Sequence, residues 1–144
     1  MHDLDKAYER VEHKQLMMEG KKACDYPVSL LRVSVASYRS SRWIVHQGVF
    51  LPPLYPERGI ITGATAATTE LKLAMLRMVK QFVRRHAAVH LSTCIDDLTI
   101  DAQGKSSWET AHRAMEASND LQAACESLGW VIALAKTVAL ANTK

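Results

Sequence analysis

The sequence predicts an α+β domain in which an antiparallel sheet is covered on one face by helices. Two observations carry this prediction: a hairpin centred on Asp96 and Asp97, and an amphipathic helix on each side of it along the chain. With 144 residues, 48% of them hydrophobic and 23% charged, the chain is long enough to build one domain around a buried core. Its formal net charge of +3 adds only weak support for a nucleic-acid partner.

The first forty residues predict the end of a strand followed by two helices. Asp3 lies at the exit of the strand, which starts abruptly with the chain. Apolar spacing predicts a helix over residues 13–23 and another over residues 27–39. Pro27 suits the first turn of the second helix, where its missing N–H is not needed.

The middle of the chain predicts a β segment, a loop and a long helix. Residues 42–50 have the composition of one or two strands, and three prolines make residues 51–58 a loop. A turn with a glycine at each end, over residues 59–63, leads into a helix over residues 64–85. The apolar stripe of this helix consists of Leu71, Met75, Met78 and Phe82.

The last third of the chain predicts the Asp96–Asp97 hairpin, a helix and two short closing strands. Ser106 or Ser107 is placed to cap the helix, and Gly129 is placed to end it. The closing strands are expected at residues 130–134 and 137–140, with Lys136 in the turn between them. The predicted buried face of the helix is Trp108, Ala111, Met115, Ser118, Leu121, Cys125 and Leu128, and the core is expected to hold all three tryptophans, Trp43, Trp108 and Trp130.

The carboxylate pair at the hairpin is the most informative feature of the sequence. Asp96 and Asp97 stand between two apolar, strand-like runs, where adjacent anions repel each other and lose hydration. A cation held between them relieves both costs, and carboxylates presented in a tight turn suit divalent metal ions. A solvated hairpin turn explains the same two residues, because aspartate is a common turn residue.

Other features restrict the class of protein. The three cysteines, Cys24, Cys94 and Cys125, are scattered without a paired spacing, which argues against a disulfide framework or a zinc ribbon and suits a reducing compartment. No apolar run approaches the length of a membrane span, and the N-terminus lacks the apolar segment of a signal peptide. We therefore expect an intracellular protein of the nucleus or cytoplasm, neither secreted nor bound to a membrane.

Four segments together resemble the palm of a reverse transcriptase, an RNA-directed DNA polymerase of the retroelement type, similar to those of non-LTR elements and group II introns. Residues 3–13 resemble the first palm motif, an Asp followed five positions later by an aromatic residue. Residues 58–69 resemble the glycine-bearing second motif and its helix, and residues 94–97 the aromatic-x-Asp-Asp turn, with Cys94 at the aromatic position. Residues 128–137 are similar to the fourth motif, where a glycine-bearing turn leads to a Lys-Thr pair.

The resemblance implies two-metal nucleotidyl transfer to a primer 3′-hydroxyl. Asp3, Asp96 and Asp97 would hold two Mg²⁺ ions, with Mn²⁺ as an alternative. Lys136 would neutralise or protonate the departing pyrophosphate.

The resemblance also implies a substrate site and partners. The ring of Tyr8 would lie beneath the incoming sugar, and the backbone around Gly59, Thr62 and Gly63 would approach the nucleotide or the template. The implied partners are an RNA template, a DNA primer and deoxynucleoside triphosphates.

In this reading residues 1–144 form a partial reverse-transcriptase domain, with fingers preceding Met1 and a thumb following Lys144. We therefore expect weak or no polymerisation by this chain alone. A catalytically inactive remnant, or a domesticated module that binds RNA or protein with a palm fold, remains the alternative. An RNA-templated RNA polymerase palm is a third possibility, although the spacing of Asp3 and Tyr8 and the Lys136–Thr137 pair favour the reverse transcriptase.

Overall fold

The computed structural model describes residues 1–23 and 26–141. Its helices are α1 (Ala7–Arg10), α2 (His13–Lys22), α3 (Val28–Tyr38), α4 (Ala67–Arg85) and α5 (Ser107–Ser127). Its strands are β1 (His2–Asp5), β2 (Val45–His46), β3 (Val49–Phe50), β4 (Val89–Cys94), β5 (Asp97–Ala102) and β6 (Val131–Ile132), and a 3₁₀ turn follows at Leu134–Lys136. Cys24, one of the three cysteines in the redox interpretation, lies outside the described residues, as do the last three residues of the predicted domain.

The predicted α+β class is confirmed. A four-stranded antiparallel sheet has the order β4-β5-β1-β6, and β2 and β3 form a separate two-stranded ribbon. The chain divides into two compact units, which we call the sheet unit and the helical unit. The sheet unit joins residues 1–7 to residues 75 onwards, and the helical unit comprises residues 8–74.

The sheet unit is built on one apolar face of the four-stranded sheet. Leu4, Leu98 and Ile132 are buried on three of its strands, and α5 packs against β4, β5 and β6. Because side chains alternate along a strand, the residues next to these, including Asp3 and Asp97, are directed to the opposite face. A helix therefore covers one face of the sheet in this unit, and Asp3 and Asp97 lie on the other face.

Helix α5 is capped as predicted but buries a different face over its first turns. The Ser106 hydroxyl accepts a hydrogen bond from the Glu109 N–H at 3.2 Å. The prediction that Trp108, Ala111 and Met115 are buried was wrong, since all three are exposed, Trp108 by 74% and Met115 by 59%. At about 32 Å, α5 is longer than the six-residue strands against which it packs, which extend about 20 Å, so the strands cannot cover the whole length of one helix face.

The C-terminal part of the chain also differs from the prediction. Residues 137–140 do not form the predicted closing strand, because the 3₁₀ turn at Leu134–Lys136 bends the chain after β6. Val138 instead exchanges two main-chain hydrogen bonds with Met1, at 2.7 and 3.1 Å. This contact closes the sheet unit by tying its last described segment to the start of β1.

The helical unit packs α2 and α3 against the first turns of α4. In α3 the buried residues Leu31, Val35 and Tyr38 recur at spacings of four and three, which is the stripe of an amphipathic helix. Gly20 lies inside α2 because a Cβ there would come within 2.1 Å of a Leu31 methyl carbon. Two helices can therefore approach closely at the one position of α2 that lacks a side chain.

Helix α4 carries the predicted apolar stripe. All four of its predicted core residues are at most 4% exposed: Leu71, Met75, Met78 and Phe82.

Within the described part of the chain, no helix is both long enough and apolar enough to cross a membrane.

Candidate active site

The β4–β5 hairpin presents Asp96 and Asp97 at its tip. Cys94 pairs with Asp97 as the last residues of the ladder, which leaves Ile95 and Asp96 as a two-residue turn. Ile95 has a φ of 58°, in the left-handed region that β-branched residues rarely adopt. Such a conformation costs on the order of 1–3 kcal/mol and is found most often where the surrounding structure holds a functional turn in place.

Replacing Ile95 by glycine should therefore stabilise the protein. Glycine adopts a positive φ without steric cost, and this gain outweighs its greater loss of chain entropy on folding, so we expect the free energy of unfolding to rise by about 1 kcal/mol. Equilibrium urea unfolding measures the change. The matched control is Ile100→Gly in β5, where the backbone is extended and glycine should instead lower the stability by about 1 kcal/mol. A loss of stability in both variants would show that the turn stores no strain.

The sheet register brings Asp3 beside the hairpin. Asp3 and Asp97 are direct partners across β1 and β5, so their side chains project from the same face of the sheet. The Leu4 N–H also donates to the Asp96 carbonyl at 3.3 Å. Three carboxylates from two distant parts of the sequence thus lie at one end of a single β1–β5 pair.

His2 holds β1 in this position from the opposite face of the sheet. Its Nε2 forms a hydrogen bond with the Ser118 hydroxyl of α5 at 3.0 Å. Burial lowers the pKa of His2 below its ordinary value, and the positive charge of the N-terminus lowers it further. The ring is therefore uncharged at neutral pH, and it anchors the strand that carries Asp3.

Lys136, which the sequence analysis named as a residue of this site, lies in the cluster, but its ion pair with Asp3 was not predicted. The Ala133 N–H donates to the Asp3 carbonyl at 2.8 Å, and the 3₁₀ turn that follows places the Lys136 Nζ 2.7 Å from the Asp3 carboxylate. The hydrogen bond to Asp3 raises the pKa of Lys136, and the negative charges of Asp3, Asp5 and Asp96 act in the same direction. The available signal for this ion pair was a lysine five residues after the start of a short closing strand, together with a first strand that carries two aspartates.

The chemistry of the cluster suits a hard divalent cation, although its geometry is that of a carboxylate–ammonium pair. Asp3 and Asp97 offer oxygen donors on one face, which are the ligands that Mg²⁺ prefers. Among the described residues, no three His, Cys, Asp or Glu side chains converge closely enough to hold a metal ion. The positive charge beside Asp3 is supplied by Lys136.

The predicted substrate residues belong to the helical unit. The Tyr8 hydroxyl lies 3.3 Å from the Thr68 hydroxyl, and the Tyr8 carbonyl accepts a hydrogen bond from the Ile60 N–H at 2.8 Å. Gly59 and Thr62 line an open cavity of about 450 Å³. Gly63 is outside this lining and has a φ of 87°, which only glycine adopts freely.

A buried carboxylate that accepts hydrogen bonds from two tyrosines, called here the Glu70 cluster, lies in the same unit and was not predicted. Glu70, in the first turn of α4, is fully buried, and its carboxylate accepts hydrogen bonds from the hydroxyls of Tyr38 at 2.7 Å and Tyr26 at 3.2 Å. Burial raises the pKa of Tyr26 to about 12, with the Glu70 charge as the next cause, and it raises that of Tyr38 as well. The signal in the sequence was a glutamate on the apolar side of α4, directly before Leu71.

Comparison with known proteins assigns this chain to no family. Neither a protein-family model nor a curated protein sequence matches the chain.

Proposed function

We propose that this chain is the palm of an RNA-directed DNA polymerase that transfers nucleotides to a primer 3′-hydroxyl. One observation carries the proposal: the β1–β5 register sets Asp3 opposite Asp97, beside Asp96 and the Lys136 ammonium. These residues come from three of the four palm-like segments. Carboxylates and a lysine on one sheet face are what phosphoryl transfer requires, since it depends on positioning and on charge stabilisation.

Asp3, Asp96 and Asp97 would hold the divalent ions of this reaction. When bound, such ions make the primer hydroxyl more acidic and neutralise negative charge on the leaving pyrophosphate. Lys136 is exposed and already charged, so its ammonium can leave Asp3 and donate to a phosphate oxygen. Tyr8 and the backbone near Gly59 belong to the helical unit, and their substrate roles in this proposal rest on the resemblance alone.

The proposal predicts a response to divalent ions before any turnover is measured. At ten times its dissociation constant, an ion that binds only the folded chain adds about 1.4 kcal/mol of stability. We therefore expect Mg²⁺ or Mn²⁺ to raise the melting temperature by roughly 3–6 °C. Under an excess of protein over primer, we expect slow, templated addition of a single deoxynucleotide on RNA, and no addition with EDTA.

A catalytically inactive remnant that binds RNA or protein is the second candidate. The Lys136–Asp3 ion pair favours it, together with the absence of a three-ligand metal cluster among the described residues. This candidate predicts no change in melting temperature with either ion and no nucleotide addition at any protein concentration. The two measurements above therefore separate the candidates.

A further inference from the structure

The β2–β3 ribbon exposes aromatic rings that a soluble chain ordinarily buries. Trp43, Phe50 and Tyr55 are 59%, 68% and 71% exposed, and large aliphatic side chains between them are also exposed. The expectation that Trp43 lies in the core was therefore wrong. Contiguous apolar surface of this kind marks an interaction site more often than it marks ordinary protein surface.

The ribbon holds two of these rings in a defined arrangement. The Trp43 and Phe50 rings meet edge to face, with centroids 6.4 Å apart and an interplanar angle of 77°. The ladder extends beyond the two short strands, because Arg42 and Leu54 exchange two main-chain hydrogen bonds of 2.9 Å. The rings are thus attached to a paired backbone and lose little freedom when a ligand stacks on them.

Arginines lie close to the rings along the chain, since Arg42 precedes Trp43 and Arg58 follows Tyr55 by three residues. Arg42 and Arg58 both line the open cavity of about 450 Å³, together with Glu9 and residues 59–62. Arg58 makes a mostly exposed ion pair with Glu12 at 3.7 Å, which leaves its other N–H groups available. Glu9 and Glu12 lie beside these arginines, but residues 8–74 as a whole contain nine lysines and arginines against six carboxylates, so the net charge of this part of the chain is positive and attracts anions.

We propose that this surface, defined by Trp43, Phe50, Tyr55, Arg42 and Arg58 and called here the ribbon platform, binds single-stranded nucleic acid. The ribbon platform extends the proposed function. Its assignment of RNA as the natural ligand rests on that function. Sequence-tolerant binding of single strands combines aromatic rings that stack on bases with cations that follow the phosphates. The Trp43 and Phe50 rings are in contact and the ribbon is only two strands wide, so one nucleic-acid strand can stack on the rings and reach Arg42 next to Trp43 in the chain.

The chemistry of the surface favours nucleic acid over a second copy of the chain. The carboxylates near these arginines already lie beside them within one chain, Glu9 in the same cavity and Glu12 in the ion pair with Arg58, so a second copy of this patch adds no new kind of counter-charge. A polyanion instead neutralises both guanidinium groups and covers the rings with bases.

Fluorescence anisotropy with labelled oligo(U) and oligo(dT) of about 12 nucleotides tests the platform directly. We expect Trp43→Ala and Phe50→Ala each to weaken binding about tenfold. Arg42→Gln and Arg58→Gln should each reduce the slope of log K against log salt by about 0.7, measured between roughly 50 and 200 mM. The matched control is Trp108→Ala, which removes an even more exposed tryptophan on α5 and should change the affinity by less than about twofold.

Two results would overturn the platform. One is equal binding by the Trp43→Ala and Trp108→Ala variants. The other is self-association of the wild-type chain in sedimentation velocity that Trp43→Ala abolishes, which would make the ribbon an interface between copies.

The platform and the polymerase proposal can fail separately. Loss of binding in Trp43→Ala without any nucleotide addition by the wild-type chain would retain the platform and reject the polymerase. Nucleotide addition by the wild-type chain, combined with normal binding by Trp43→Ala, would retain the polymerase and reject the platform.

Discussion

Asp97→Asn should lower single-nucleotide addition by about 10²–10³-fold while leaving the fold intact, because it removes one metal-binding oxygen charge from the sheet face shared with Asp3. Asn has the shape of Asp and keeps the ladder hydrogen bonds of β5. In metal-free buffer we expect the stability to be unchanged or higher, since Asp97 no longer repels its neighbours. With Mg²⁺ the variant should gain less stability than the wild-type chain.

The control for this variant is Asp101→Asn. Asp101 lies four residues further along β5 and pairs with His90. Its substitution therefore removes a carboxylate from the same strand but outside the cluster. It should retain both nucleotide addition and the stabilisation by Mg²⁺. If Asp97→Asn and Asp101→Asn behave alike in both measurements, the hairpin is a solvated turn and the remnant interpretation gains the advantage.

Tyr38→Phe should lower the free energy of unfolding by about 2 kcal/mol. The substitution removes a 2.7 Å hydrogen bond to the fully buried Glu70 carboxylate, and hydrogen bonds to charged groups contribute roughly 1.5–3 kcal/mol. Tyr26→Phe removes a longer bond of 3.2 Å at a half-buried position, so its cost should be smaller. Urea unfolding at neutral pH measures both, with the exposed Tyr55→Phe as the control, expected within about 0.5 kcal/mol of the wild type.

The contacts of Tyr26 and Tyr38 with Glu70 also predict a loss of stability at alkaline pH. Because the folded-state pKa values of Tyr26 and Tyr38 lie above the ordinary value of 10.0, the unfolded chain releases its tyrosine protons first as the pH rises. The stabilisation is complete below pH 10 and declines as the pH rises through about 12, the pKa of Tyr26. The decline should be shallower in Tyr38→Phe; a decline of unchanged steepness would show that this tyrosine does not carry the effect.

The helices and the hairpin follow from local sequence. The stripe of α4, the capping serine of α5 and the strands on each side of Asp96 depend on residues a few positions apart, so periodicity and turn chemistry are sufficient to predict them. The error at Trp108 has the opposite cause. Its helical spacing is correct for a buried face, but burial there depends on whether a sheet lies beneath that turn of α5.

By itself, the sequence determined the α+β class, the helix stripes and the set of acidic residues that could form a site. Only the tertiary structure decided which of them meet: the pairing of Asp3 with Asp97, the contact of Lys136 with Asp3, and the burial of Glu70 against two tyrosines. These contacts join residues from 32 to 133 positions apart or lie across a strand register. A one-residue slip of that register would move Asp97 to the other face of the sheet, and no local pattern excludes such a slip.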